Sequence, residues 1–219
     1  MFVIHSDEVD SIGTARGAEE SSGSKQALYQ LLIEFTKIQG RSNDIVAICA
    51  TNRPGDLDDA FLRRFSCLIH VPLPLLQDRY AMLKHLAGDY NDLTEENFMH
   101  LAEMSDGFSS NDLRIAATDA IGFIYQEAFD ASYFVEMVVD GKKRYQPCFD
   151  TSLKCVEMTH DDIASEEVML RHLSFTDFEY AIKKLTPKVS PADVREMKKY
   201  ARKYQHIVKR KPQTINHEK

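Results

Sequence analysis

Long apolar runs are missing from this chain of 219 residues; none approaches the roughly 20 residues that a bilayer span needs. The start, Met1-Phe2-Val3-Ile4, is too short for a signal peptide and has no basic lead-in. Cysteine is sparse. Cys49, Cys67, Cys148 and Cys155 show no close paired spacing, so the expectation is free thiols in a reducing compartment, with Cys49 a small core residue of an apolar run. Positive charge is in deficit, with 27 Lys and Arg against 34 Asp and Glu, which argues against a general binder of nucleic acid or membrane surface. Basic residues gather only at the end, at Lys198, Lys199, Arg202, Lys203, Lys209, Arg210, Lys211 and Lys219; that reads as a solvated helix end, the alternative being a binding patch. No Gly-x-x-x-x-Gly-Lys-Ser/Thr occurs. Gly23-Ser24-Lys25 does not replace it, because no strand precedes it and no glycine stands at the required offset. There is no internal repeat and no low-complexity segment.

What remains is a globular composition, 43% hydrophobic and 28% charged, long enough for about one and a half domains. Phe2-Val3-Ile4 reads as the end of a buried strand running into Asp7, Glu8 and Asp10, with His5 as a core histidine. A polar loop over 13–24 precedes a helix over 25–39, where Leu28, Leu31, Leu32, Phe35 and Ile38 recur at helical spacing. Strands are expected at 45–50 and 67–71, separated by a break at Asn52-Arg53-Pro54-Gly55 and a short helix near 58–64. Apolar strands alternating with helices imply a parallel α/β sheet. Beyond Pro72 and Pro74 the pattern turns helical. Helices are expected over 77–87, after the N-cap Thr94, from Ser109 and Asp112, from Ser174 and Asp177, and from Ser190-Pro191. A hairpin through Asp140-Gly141 pairs 135–139 with 144–147, and 154–158 adds a third strand.

Two local patterns carry chemistry. Asp7-Glu8 closes an apolar strand, where adjacent carboxylates alternate direction, so that one holds a metal-bound water and the other faces a nucleophilic water. Hydrolysis of a phosphate ester or anhydride needs both roles; taken alone, the pair also fits a solvated strand end. The second pattern is Ala50-Thr51-Asn52-Arg53-Pro54, then Ala60-Phe61-Leu62-Arg63-Arg64-Phe65. An amide at the C-terminal end of a parallel strand orients a water or a γ-phosphate. Paired arginines at a helix end reach a neighbour's phosphates, or are surface charges.

In this order and spacing the pieces resemble the AAA ATPases. Asp7-Glu8-Val9-Asp10-Ser11-Ile12 resembles the Walker B segment. Ala50-Thr51-Asn52-Arg53-Pro54 through Arg63-Arg64-Phe65 resembles the second region of homology, with a sensor-1 asparagine and two arginine fingers. Gly107-Phe108-Ser109-Ser110-Asn111-Asp112-Leu113 resembles the opening of the sensor-2 helix of the lid. The distal half, Cys155-Val156-Glu157-Met158-Thr159-His160-Asp161-Asp162-Ile163 and Thr186-Pro187-Lys188-Val189-Ser190-Pro191-Ala192-Asp193, is similar to the vacuolar-protein-sorting, ESCRT-III-disassembling branch of the meiotic clade.

The resemblance implies the C-terminal half of a large AAA ATPase domain over 1–74 and a helical lid over 75–189 with a β insertion near 133–160. A C-terminal helix over 190–208 and a basic tail over 209–219 follow. By resemblance Asp7 positions a Mg2+ water and Glu8 polarises the attacking water. Asn52 senses the γ-phosphate, Gly107 and Ser110 lie by the nucleotide, and Arg63 and Arg64 reach the ATP of a neighbour in a hexameric ring. The loop 13–24 lines the pore. Implied cofactors are ATP and Mg2+. Implied partners are a second copy or full-length homologue, ESCRT-III-like filament proteins and a cofactor protein on the β insertion, in the cytoplasm beside endosomal membranes, with no nucleic acid and no transmembrane segment. Without the phosphate-cradling loop the chain alone is expected not to hydrolyse ATP. The retained Asp7, Glu8, Asn52, Arg63 and Arg64 favour a chain that has lost its front over one long diverged. A non-catalytic assembly module of such a ring, or a microtubule-severing ATPase of the katanin and spastin kind, are the alternative readings.

Overall fold

The computed structural model describes residues 2–13, 22–40, 45–148 and 154–204. Residues 14–21 of the expected pore loop and the basic tail 209–219 lie outside these. The chain divides into two compact units, one of Met1–Val71 with Pro191–Lys219, the other of Pro72–Ser190.

In the first unit, β1 (Phe2–Ser6) and β2 (Ile45–Cys49) pair in parallel, with Phe2 opposite Ile45 and Ser6 opposite Cys49. The strands are joined through α1 (Asp10–Gly13) and α2 (Ser22–Gly40), the helical crossover that a parallel pair requires. Leu31, Leu32 and Phe35 of α2 meet Val9, Leu57 and the short α3 (Asp59–Leu62). There the rings of Phe35, Phe61 and Phe65 lie with centroids 5.1–5.6 Å apart, in the tilted and edge-on arrangements that aromatic quadrupoles favour. The last helix, α8 (Pro191–Lys203), returns to this unit, and Tyr204 just beyond it packs on the same cluster.

The second unit is built on α4 (Leu76–Ala87), α5 (Glu95–Met104), α6 (Ser110–Asp130) and α7 (Phe175–Lys184). Its core centres on Leu83, Leu101, Leu113 and Phe178, all fully buried. Capping residues set the starts of these helices, as the sequence predicts. Thr94 is reciprocally bonded to Asn97, and Ser109 to Asp112. At α7 the Asp177 carboxylate accepts from both the backbone and the hydroxyl of Ser174. Between α6 and α7, β3 (Tyr133–Val139) pairs antiparallel with β4 (Lys142–Pro147) through the anticipated Asp140-Gly141 turn, and with β5 (Cys155–Glu157) on its other side.

Four expectations are corrected. Residues 67–71 form no strand: they pair with nothing among the described residues, and Ile69 and Val71 are 80% and 83% exposed. Strand propensity needs a neighbouring strand to be realised. Phe2, Val3 and Ile4 form the expected strand but are exposed rather than buried, and His5 is exposed rather than a core residue, because β1 has β2 on one side only. The strand stops at Ser6, so Asp7 and Glu8 occupy the turn beyond it, and strand alternation does not govern where they point. Finally, Cys148 and Cys155 form a disulfide, leaving Cys49 and Cys67 as the free thiols. Both partners are brought together at the start of β3, where the amide of Cys148 donates to the Tyr133 carbonyl and Cys155 lies opposite Val135.

Candidate functional site

The C-terminal ends of β1 and β2 are tied to each other beyond the ladder. The Ala50 amide donates to the Ser6 carbonyl at 2.9 Å, and the Val9 amide donates back to the Ala50 carbonyl at 3.0 Å. Val9 is 3% exposed, so it plugs the turn from below while Asp7 and Glu8 arch over it into solvent. Asp7 Oδ1 accepts from the Glu8 amide at 2.9 Å, and Glu8 has φ of 49°. That left-handed conformation is uncommon outside glycine, asparagine and aspartate. One residue on, Thr51 Oγ1 donates to Asp10 Oδ1 at 2.6 Å and itself accepts from the Arg53 amide. This Thr51–Asp10 link holds the start of the Asn52 turn against the start of α1. Sequence reasoning missed it; the signal available was a threonine two residues after β2 and an acid two residues after Glu8.

The structure therefore brings Asp7, Glu8 and Asn52 to neighbouring turns at one end of a parallel pair, all exposed. Ligands of open α/β sheets bind at the carboxyl ends of the strands. Arg63 is the C-cap of α3 in the same unit, exposed, and Arg64 follows it half-buried. Asp58 starts that helix by accepting from the Ala60 amide at 2.6 Å. On its outer side Asp59 Oδ1 accepts from the Tyr204 hydroxyl at 3.0 Å, with Lys203 Nζ at 3.6 Å. The Tyr204 bond first, then the Lys203 charge, holds the Asp59 carboxyl below the ordinary carboxylate range. The Cys49 thiol under the turn is pushed up by burial.

Gly107 and Ser110 belong to the other unit. Gly107 has φ of 81° in the turn from α5 to α6, and Ser110 is the exposed first residue of α6. Sequence reasoning missed what supports them. Arg79 of α4 is 6% exposed, donates to the Ala102 and Pro74 carbonyls at 2.9 and 3.0 Å, and pairs with Asp106 at 3.0 Å. It thus ties the residue before Gly107 to α4. The helical period of α4 carries no signal for it.

Two sequence-family profiles match the chain. One, the ATPase family associated with various cellular activities (AAA), matches residues 2–73, the segment holding Asp7, Glu8, Asn52, Arg63 and Arg64. The other, the Vps4 C terminal oligomerisation domain, matches 145–204. The chain belongs to the AAA ATPase family. Its relatives include the protein SUPPRESSOR OF K(+) TRANSPORT GROWTH DEFECT 1 of Arabidopsis thaliana, 30% identical over 198 residues that make up 88% of this AAA chain and 45% of the relative. Vacuolar protein sorting-associated protein 4B of Mus musculus is 29% identical over 209 residues, 90% of this chain and 47% of its own. Spastin of Gallus gallus is 41% identical over 120 residues, 54% of this chain and 20% of its own. The chain thus spans about half the length, or less, of the curated relatives it matches. Among solved structures, the FIGL-1 AAA domain has a TM-score of 0.69 at 22% identity, covering 92% of this chain and 57% of that one. The α/β fold with a parallel sheet is that of AAA ATPase domains.

The family implies ATP and Mg2+. The exposed carboxylates at the end of β1 and the amide at the end of β2 fit the hydrolytic edge of such a site, since a magnesium ion keeps most of its waters and takes one or two carboxylates. The phosphate-cradling loop is not among these 219 residues, so the fit is to one edge of the nucleotide only. No helix among the described residues is long and apolar enough to cross a membrane.

Proposed function

We propose that the chain is the hydrolytic edge, lid and C-terminal helix of an AAA ATPase that works in a hexameric ring to disassemble ESCRT-III-like filaments beside endosomal membranes. The observation that carries this is the joint placement of Asp7-Glu8 and Asn52 at the ends of two adjacent parallel strands, in a chain that also matches the Vps4 C terminal oligomerisation domain. In this reading residues 1–74 are the C-terminal half of the large domain and 75–189 the lid. The three-stranded sheet of 133–157 is the β insertion that takes a cofactor protein, and 190–208 is the C-terminal helix before the basic tail 209–219.

Within that assignment Asp7 holds a water of the Mg2+ ion, and Glu8 accepts a proton from the attacking water. Asn52 orients that water toward the γ-phosphate. Bound Mg-ATP supplies the phosphoryl group and the charge that these residues address. Gly107 and Ser110 lie beside the nucleotide, and Arg63 and Arg64 donate to the nucleotide of the neighbouring subunit, where an arginine finger is worth about 10³–10⁵ in rate. The β insertion, which the microtubule-severing reading does not need, supports the filament reading; the 41% identity to a spastin over 120 residues supports the severing one.

Purified chain is expected to show no Mg2+-dependent ATP turnover alone. Mixed with full-length vacuolar protein sorting-associated protein 4B, it is expected to change that protein's rate, through Arg63 and Arg64. Turnover by the chain itself would contradict its lack of a phosphate loop. Binding to tubulin tails without binding to ESCRT-III filaments would move the assignment to the severing relatives.

A further inference from the structure

The helix that carries Arg63 is a single turn, and single turns have little stability of their own. Phe61 and Leu62 anchor its inner side, 0% and 7% exposed. The direction of its C-terminal end is left to whatever holds the outer side, and that is α8. Tyr204 donates to Asp59, at the start of α3, and the Tyr204 amide continues the helical turn by donating to the Tyr200 carbonyl at 3.2 Å. One turn back, the Tyr200 ring covers Gly55 so closely that a Cβ there would lie 2.4 Å from the tyrosine oxygen. Two tyrosines four residues apart on one helical face therefore grip two points four residues apart, Gly55 and Asp59, on the segment running from Asn52 to Arg63. Only glycine leaves room for the first grip, and only a hydrogen-bond acceptor makes the second.

We propose that Tyr200 and Tyr204 are positioning residues for the arginine pair Arg63–Arg64, acting through Gly55 and Asp59. α8 then sets the direction in which α3 presents its arginines, and release of α8 withdraws them while Phe61 and Leu62 stay in the core. This rests on the reading of Arg63 and Arg64 as donors to a neighbour's nucleotide.

The test separates positioning from simple stability. Tyr204→Phe keeps the ring against the Phe61 cluster and removes only the hydroxyl, and Asp59→Ala removes the acceptor. The side-chain Nε–H resonances of Arg63 and Arg64 are followed by NMR in the full 219-residue chain. Both variants are expected to shift or broaden these two signals and to leave those of Arg79 and Arg171 in place. Gly55→Ala, whose Cβ would displace the Tyr200 ring, is expected to do the same. In assemblies with a full-length relative, Tyr204→Phe is expected to lower the stimulated kcat roughly tenfold at unchanged KM, the signature of an interaction made only in the transition state. Unmoved Arg63 and Arg64 signals in folded Tyr204→Phe and Asp59→Ala chains overturn the proposal. Moved signals with no effect of the wild-type chain on the relative's rate uphold the positioning and remove the donor reading instead.

Discussion

Arg171 shows how much one side chain can hold. Its guanidinium is shared between Glu127 of α6, at 2.8–3.1 Å, and Asp177 of α7, at 2.7 and 2.8 Å. Asp177 and Glu127 raise its pKa still further above the ordinary arginine value. Burial alone raises the Asp177 carboxyl, but the bonds from Arg171 and Ser174 outweigh it and leave the group below its ordinary value. A depressed carboxylate stabilises the fold above its unfolded pKa, about 3.9, and that contribution disappears as pH falls through the folded value. Urea midpoints are therefore expected to be level from neutral pH to about 5 and to fall below about 4, with Asp177→Asn flattening the fall. Arg171→Met leaves Asp177 with its partner gone and is expected to cost about 2–4 kcal/mol by urea unfolding, far above the ~1 kcal/mol of an exposed pair. The cysteines give a chemical check. Alkylation without reductant is expected to modify Cys67 fastest and Cys49 slowly, since burial raises the Cys49 thiol, and to spare Cys148 and Cys155. Four modified cysteines would restore the free-thiol expectation.

At the level of elements, the helices were legible because their determinants are local. Thr94, Ser109 and Ser174 announce helix starts, and Leu113, Ala116, Ala117 and Ala120 recur at the period that buries one face. Asp112 both bonds to Ser109 and is fully buried, so Asp112→Ala is expected to destabilise by about 1–2 kcal/mol through the lost cap. Strand features were less legible because their determinants are not local. The apolar pattern at Cys67-Leu68-Ile69-His70-Val71 is a good strand pattern, yet whether it pairs depends on a neighbour that five residues cannot encode. Ile69→Lys is accordingly expected to change stability by less than about 0.5 kcal/mol, the range of ordinary surface substitutions; a cost of several kcal/mol would mean that the segment is paired after all. The disulfide was illegible for the same reason, since the proximity of Cys148 and Cys155 comes from both being placed at the start of β3. The candidate site was legible as residue types in order, while its supports, Thr51 to Asp10 and Arg79 to Asp106, depend on folding.

The two units differ in how completely each covers its own apolar surface. In Pro72–Ser190 four helices close around Leu83, Leu101, Leu113 and Phe178. In the other unit the register puts Val3, Val46 and Ile48 on one face of the parallel pair, and all three are exposed; the opposite face meets α2 and α3 through Ala47 and Cys49. Parallel sheets are ordinarily covered on both faces, and a two-stranded pair on its own is marginal. Local opening follows local burial, so the two units are expected to differ in protection. Backbone amides of Val46 and Ile48 in β2 are expected to exchange with deuterium orders of magnitude faster than those of Ala116, Ala117 and Ala120 in α6. In urea the pair around Asp7 and Asn52 is expected to open at lower concentration than the helical unit, giving two transitions by probes placed in each. Equal protection of β2 and α6, with one coincident transition, would mean that the face of Val3, Val46 and Ile48 is covered in solution. The site at the ends of β1 and β2 would then be as firmly held as the helical core.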